Sequence, residues 1–158
     1  MRNRRQAAVM FLATACYVGR IPVAPGTFGS LLAILPCYLI SDLPFTVTFG
    51  IILVFIGLAV WVAKAAEEIL RVQDPGCIVI DEVAGMMVTL AGLPFDVLSV
   101  VSGFIVFRIL DIIKPFPIRT AERHFSGGIG VVLDDVIAGI MGNVLLRAIW
   151  TLFGPDGA

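Results

Sequence analysis

Two neighbouring carboxylates, Asp81 and Glu82, stand in an otherwise apolar part of the sequence. Cys77–Val79 before them is apolar, and Val83–Phe95 after them carries no charge. Carboxylate oxygens are ligands for hard cations such as Mg²⁺. Acids also favour the first turn of a helix, by about 0.3–1 kcal/mol. The pair therefore indicates either an ordinary helix start or one wall of a charged site at a membrane surface.

Two further groups of charged residues could take part in the same chemistry. Arg108, Asp111 and Lys114 recur at steps of three, which places them on one broad side of a helix. They form either an internal Arg–Asp pair with a snorkelling lysine, or a phosphate clamp of two cations beside a metal-binding aspartate. Asp134 and Asp135 follow a glycine-rich stretch, and they are either an N-cap with a first-turn acid or further metal ligands.

Thr27 and Ser30 lie in a Pro- and Gly-rich segment at the start of a predicted helix, with Ser30 in its first turn. Both residue types cap helices. A helix start also presents free backbone N–H groups that can receive an anion. Thr27 and Ser30 are therefore candidates either for helix capping or for binding a phosphate.

The composition is that of a membrane protein rather than of an ordinary soluble domain. Hydrophobic residues make up 59% of the 158 residues and charged residues 15%, against roughly 45–50% and about 25% in typical soluble domains. A net charge of −1 gives no field that would favour a nucleic-acid partner. The three cysteines lack metal-ligand spacing and are expected as apolar filler. The length predicts a single domain covering residues 1–158.

Hydrophobic patterning predicts an all-α fold, a small integral-membrane helical bundle with about four membrane segments and an N-terminal interfacial helix. The clearest segment is Leu43–Ala63, an uncharged run whose 21 residues would span about 31 Å as a helix. A short helix is expected over Arg119–Phe125 and a flexible loop over Ser126–Gly130. The remaining helices are predicted over Arg2–Tyr17, from Gly26 or Thr27 to Ile40, Val79–Leu93, Asp96–Ile113 and Asp134–Phe153.

Lysine and arginine alternate between the connections of this bundle. They occur at the N-terminus, after Leu43–Ala63, and around residues 108–124, whereas the turns 41–44 and 91–96 have none. The positive-inside rule therefore puts the basic connections in the cytoplasm. On this topology Thr27 and Ser30, the pair Asp81–Glu82, the group around Arg108 and the pair Asp134–Asp135 all lie on the cytoplasmic side.

Five acids at one depth repel one another, so a neutralising charge is needed. We expect Mg²⁺, because it takes oxygen ligands and is commonly completed by substrate phosphate. The metal would polarise a phosphoryl oxygen and activate water, while cationic side chains hold the developing charge. The predicted metal ligands are Asp81, Glu82, Asp134 and Asp135; Asp111 completes the catalytic acids, and the predicted phosphate-binding residues are Thr27, Ser30, Arg108 and Lys114.

The chain resembles the phosphatidylglycerophosphatase A family of bacterial lipid phosphatases. The resemblance is carried, in order, by the motifs Ala24–Ser30, Ile78–Gly85, Phe107–Ile118 and Gly127–Gly139. It implies Mg²⁺-dependent hydrolysis of phosphatidylglycerophosphate to phosphatidylglycerol and phosphate by a multi-pass enzyme of the bacterial inner membrane. It implies a phospholipid substrate. The charge topology above puts the site on the cytoplasmic face, and no obligatory protein partner is expected. By motif, the site would contain Thr27, Asp81, Glu82, Arg108, Asp111, Lys114, Asp134 and Asp135.

Two alternatives remain open at this point. A transporter or channel could use an acidic ion site within the membrane, but it would place acids near midspan or on both sides. A phosphatase acting on another lipid phosphate would use the same residues as the reaction above. A lipid transferase of the CDP-alcohol type is disfavoured because its aspartate-rich motif is absent from the sequence.

Overall fold

A computed structural model of the chain describes residues 4–120 and 127–153. Over these ranges the chain forms α-helices, one short 3₁₀ helix (Val18–Arg20) and no strand. The predicted all-α fold is confirmed. The α-helices are α1 (Arg4–Ala13), α2 (Pro25–Leu32), α3 (Ile34–Ile40), α4 (Phe45–Leu70), α5 (Ile80–Leu90), α6 (Val97–Ile113) and α7 (Gly128–Phe153).

Helix α5 lies at the centre of the bundle and contacts α2, α3, α4, α6 and α7. Its sequence has small or apolar residues on nearly every side, and such a helix can only be stable when it is covered all round. Nine of its residues are buried, and Asp81 is one of them. The helix that carries the acid pair is thus held by packing on all sides.

The helices beside α5 alternate in direction. Gly85 of α5 lies against Phe107, whereas Leu90, at the other end of α5, lies against Gly103, so α6 is antiparallel to α5. Helix α7 runs the same way as α5, because Gly139 packs on Gly85 and the Asn143 amide donates to the Thr89 carbonyl. The start of α5, the end of α6 and the start of α7 therefore meet at one end of the bundle.

Two helices of the described chain, α4 and α7, are long and apolar enough to cross a membrane. Only 22% of the most apolar window of α4 is buried, and side chains such as Val54, 75% exposed, point away from the bundle. A helix at the core of a soluble protein would bury most of this surface. The outward face of α4 is instead an extended apolar surface of the kind that covers a membrane-facing element.

The predicted segment Val79–Leu93 is shorter in the structure than expected. Helix α5 has 11 residues, or about 16 Å of helix, which is roughly half of a 30 Å hydrocarbon core. Helix α6 has 17 residues and runs between its N-cap Asp96 and its C-cap Lys114, close to the predicted bounds. The Ser99 N–H and hydroxyl both donate to Asp96, which lowers the pKa of this carboxyl.

Two predicted helix starts are wrong. The stretch expected as a loop before Asp134 is helical from Gly128 onward, so Asp134 and Asp135 lie in the second turn of α7 rather than at its N-terminus. Helix α2 begins at Pro25, with Ala24 as its N-cap and no capping side chain. Residues 118–120 are helical, as predicted for that region, and the rest of the expected helix 119–125, together with Ser126, lies outside the described residues.

Candidate active site

Asp81 and Glu82 lie in the first turn of α5, so the predicted helix start is confirmed. The segment before the helix is fixed by the Val79 N–H, which donates to the Ala13 carbonyl over 2.9 Å, and by Gly19, which packs against the Cys77 carbonyl. Asp81 is 7% exposed and Glu82 is half-buried. The pair is thus more than a solvated helix start, because both carboxylates face protein.

Three carboxylates from two helices converge at this point. Oxygen atoms of Asp81, Glu82 and Asp135 all lie within 4.8 Å of one another, and Asp135 is 3% exposed. Asp81 Oδ1 and Glu82 Oε2 are buried with no hydrogen-bond partner. Buried carboxylate oxygens without partners are costly unless a proton or a cation compensates them. The three residues therefore form a candidate cation site with oxygen ligands only.

Glycines allow the two helices to come close enough for this convergence. A Cβ on Gly85 would lie 2.7 Å from the Asp135 carbonyl and 2.6 Å from the Phe107 ring. A Cβ on Gly139 would collide with the Gly85 carbonyl. Two facing glycines thus bring α7 into direct backbone contact with α5, and this contact places Asp135 beside Asp81 and Glu82.

Arg108 lies next to the three acids and is held in place by its own helix. Its Nη1 is 2.6 Å from Asp111 Oδ2 and 3.5 Å from the Ser30 hydroxyl. Its Nε is buried without a partner. Ser30 in turn donates to the Gly26 carbonyl over 2.8 Å. The guanidinium is therefore oriented by an acid and a hydroxyl while part of its donor capacity remains unused.

Lys114 connects the end of α6 to α7. Its Nζ is 2.6 Å from Asp134 Oδ2, and Asp134 Oδ1 is buried without a hydrogen-bond partner. Lys114 is the C-cap of α6 and adopts a left-handed conformation with φ of 46°. The lysine and the arginine thus each pair with one aspartate, whereas Asp81, Glu82 and Asp135 form no ion pair among the residues that the structure describes.

Gly26 closes the site from the α2 side. A Cβ on Gly26 would collide with Glu82 Oε1 and would lie 3.2 Å from Arg108 Nη1. The sequence alone predicted no role at the site for Gly26. The presence of a glycine at this position of the Ala24–Ser30 motif could have indicated the role, because only glycine fits where the backbone closely approaches another group.

The structure thus brings together most of the residues that sequence analysis selected. Asp81, Glu82 and Asp135 form the cluster, Arg108 with Asp111 and Lys114 with Asp134 border it, and Ser30 contacts Arg108. Thr27 is half-buried, and its N–H donates to the Ala24 carbonyl within the first turn of α2. Since Pro25 has no N–H, the start of α2 offers fewer free donors to an anion than the sequence predicted.

Comparison with known proteins places these residues in a family. A family model described as phosphatidylglycerophosphatase A matches residues 11–150. The chain is 40% identical to phosphatidylglycerophosphatase A of Escherichia coli strain K12 over 129 residues, which cover 81% of this chain and 75% of that protein. It is 34% identical to phosphatidylglycerophosphatase A of Haemophilus influenzae over 148 residues, or 91% of each chain.

A third relative has a different name. The "Putative phosphatidylinositol-3-phosphatase" of Bacteroides thetaiotaomicron is 37% identical over 143 residues, which cover 85% of this chain and 89% of that protein. No solved structure gives a significant match to the chain. The family match over residues 11–150 includes every residue placed at the site.

Proposed function

We propose that this chain, which belongs to the phosphatidylglycerophosphatase A family, hydrolyses phosphatidylglycerophosphate to phosphatidylglycerol and inorganic phosphate with the help of bound Mg²⁺. The chain is a phosphatase, as its named relatives are. The observation that carries the proposed use of a cation is the buried cluster of Asp81, Glu82 and Asp135, in which two carboxylate oxygens have no partner.

Mg²⁺ fits this cluster better than zinc does. The donors are carboxylate oxygens alone, which suit a hard cation, whereas zinc sites usually include histidine or cysteine. Asp81, Glu82 and Asp135 would hold the cation. Asp134 precedes Asp135 in α7, and its Oδ1, which has no partner, would be a further candidate ligand. When bound, the cation supplies Lewis-acid stabilisation of charge on the phosphoryl oxygens.

The remaining residues bind and orient the phosphate in this proposal. Arg108 would supply positive charge to a phosphate oxygen, while Asp111 and Ser30, which both contact Nη1, hold its side chain in place. Lys114 supplies a second positive charge at the border of the cluster, and its contact with Asp134 sets its position. Thr27 stays a proposed phosphate ligand at the start of α2. Asp111 and Ser30 would therefore act through Arg108.

The proposed setting is the bacterial inner membrane, with the site on the cytoplasmic face. The apolar outer surfaces of α4 and α7 support a membrane location. The antiparallel packing of α6 on α5 and the parallel packing of α7 on α5 support a bundle of about four membrane segments. The shorter α5 would be enclosed by its neighbours, with α1 at the interface. A phospholipid headgroup could then reach the acids while its acyl chains stay in the bilayer.

A second lipid phosphate is the strongest competing substrate. The name of the Bacteroides relative indicates that a protein with 37% identity acts on a phosphoinositide. A transporter is disfavoured, because the acids meet at one end of the helices rather than at midspan. The choice between the two lipid phosphates is a matter of the headgroup and does not alter the proposed roles of the acids.

Phosphate release by the purified protein tests the proposal. Wild-type protein in detergent micelles should release phosphate from phosphatidylglycerophosphate with Mg²⁺ but not with EDTA, and faster than from phosphatidylinositol 3-phosphate. Glu82→Ala and Asp135→Ala should lose nearly all activity. The matched control is Asp96→Asn, an acid at the opposite end of the bundle, which should stay active. Full activity in EDTA or in both cluster variants would refute the assignment.

A further inference from the structure

A cleft beside the acid cluster has features that the terminal-phosphate site does not use. It has a volume of about 410 Å³ and is lined by Ile113, Lys114, Pro115, Phe116, Arg119 and Thr120. Lys114 lines this cleft and also borders the acid cluster, because its Nζ contacts Asp134, the neighbour of Asp135 in α7. Lys114 therefore links the cleft to the border of the acid cluster.

The wall that carries Arg119 is a fixed part of the fold. Ile118 is completely buried in the core. The Ile118 N–H donates to the Pro115 carbonyl over 2.8 Å, and the Thr120 N–H donates to the Pro117 carbonyl over 3.0 Å. Arg119 follows the buried isoleucine and is exposed. In the part of the chain that the structure describes, Arg119 has no carboxylate within ion-pair distance.

The rim of the cleft is strongly apolar. Phe116 is 81% exposed, and Ile112 and Ile113 are exposed beside it. Large apolar side chains that project beyond a charged cleft would be unfavourable in water but favourable at the boundary between headgroups and acyl chains. A long arginine at the same place can keep its guanidinium at headgroup depth. The cleft thus combines two cationic lining residues, Lys114 and Arg119, with an exposed apolar rim.

The headgroup of phosphatidylglycerophosphate contains two phosphates. The terminal phosphomonoester is the group that is hydrolysed, and a phosphodiester joins the glycerol to the diacylglycerol. With the monoester at the acid cluster, the diester lies on the side of the headgroup that faces the bilayer. A single negative charge is therefore expected at the place where the cleft offers a cation.

We propose that Arg119 binds the bridging phosphodiester of the lipid substrate and so distinguishes this lipid from phosphate compounds that lack the diester. The proposal rests on the proposed function for the identity of the substrate. Arg119 is a binding residue in it, and the terminal phosphate stays with Arg108 and the acid cluster. The guanidinium suits this role because its planar fork can donate to two oxygens of one phosphate.

Phosphatidylglycerol isolates this interaction, because it has the diester but no terminal phosphate. Binding of short-chain phosphatidylglycerol to the purified protein, measured by calorimetry, should weaken about ten- to a hundredfold in Arg119→Gln, as expected for the loss of a hydrogen-bonded charge pair. Arg119→Lys should recover part of the affinity. Inorganic phosphate should inhibit the phosphatase reaction at the same concentration in the wild type and in Arg119→Gln, because it would bind at the terminal-phosphate site.

The control variant is Arg20→Gln, which removes another arginine with an exposed side chain, stacked 4.5 Å above the Tyr17 ring. It should bind phosphatidylglycerol like the wild type. Unchanged affinity in Arg119→Gln, an equal loss in Arg20→Gln, or an equal loss of inhibition by phosphate would each overturn the proposal. The binding measurement needs no turnover, so its failure is distinct from the failure of the proposed reaction, which would be seen as absence of phosphate release by the wild type.

Discussion

Replacing Gly26 by alanine adds one methyl group at the wall of the site and changes no charge. The new Cβ would collide with Glu82 Oε1 and lie 3.2 Å from Arg108 Nη1. Since the colliding oxygen is the far end of a flexible side chain, rotation of Glu82 can relieve the contact. The carboxylate must then move by roughly 1 Å away from the position in which it faces Asp81 and Asp135.

The expected effect on stability is small, and the expected effect on activity is large. Alanine favours a helix by up to about 1 kcal/mol over glycine, which offsets part of the cost of moving Glu82. Displacement of a catalytic group by about 1 Å can reduce activity about a hundredfold. We therefore expect kcat/KM for phosphatidylglycerophosphate to fall by about that factor, while the thermal unfolding midpoint stays within a few degrees of the wild type.

Two other glycines serve as matched controls in the same assays. A Cβ on Gly57 would meet no atom within 4 Å, so Gly57→Ala should leave activity unchanged and should keep or slightly raise the unfolding midpoint, because alanine favours the helix. A Cβ on Gly29 would lie 2.8 Å from Val79 Cβ, which cannot rotate away, so Gly29→Ala should lower the unfolding midpoint. Full activity in Gly26→Ala, or a loss of activity that follows a loss of folded protein, would refute the reasoning.

Two further predictions concern the packing of α5 on α7. Gly139→Ala would force α7 away from the Gly85 carbonyl and should destabilise the protein by about 1–3 kcal/mol. Activity should fall in parallel, because Asp135 moves with α7. An unchanged unfolding midpoint would contradict the close contact between the two helices. Asn143→Ala would remove three hydrogen bonds, the two that its amide donates to the Thr89 and Ala91 carbonyls and the one that it accepts from Arg147. The loss should cost about 1–3 kcal/mol in thermal or denaturant unfolding. Its activity per folded molecule should be preserved, since these bonds lie at the end of α5 away from the acids.

Periodicity and charge predicted a large part of the architecture. The uncharged run after Leu43 predicted α4, and the lysine–proline pair at 114–115 predicted the end of α6. The alternation of basic and non-basic connections predicted that the acids meet at one end of the bundle. The structure brings Asp81, Glu82 and Asp135 together there.

The start of α7 could not be obtained in the same way. Glycines before Asp134 are typical of a loop, but Gly128 lies inside the helix, where a Cβ would collide with the Val60 carbonyl of α4. The sequence alone does not distinguish a glycine that is needed for close helix packing from a glycine that belongs to a flexible loop. The same ambiguity concealed the role of Gly26, because its contact with Glu82 joins two residues far apart in the chain.

Titration with Mn²⁺, followed by electron paramagnetic resonance, tests the central claim most directly, since Mn²⁺ takes the same oxygen ligands as Mg²⁺. The wild-type protein in detergent should show saturable Mn²⁺ binding that Mg²⁺ displaces. Asp135→Asn should lose this binding, and Asp96→Asn should keep it. Binding that is equal in the wild type and in Asp135→Asn, or no saturable binding by the wild type, would contradict a cation site at Asp81, Glu82 and Asp135.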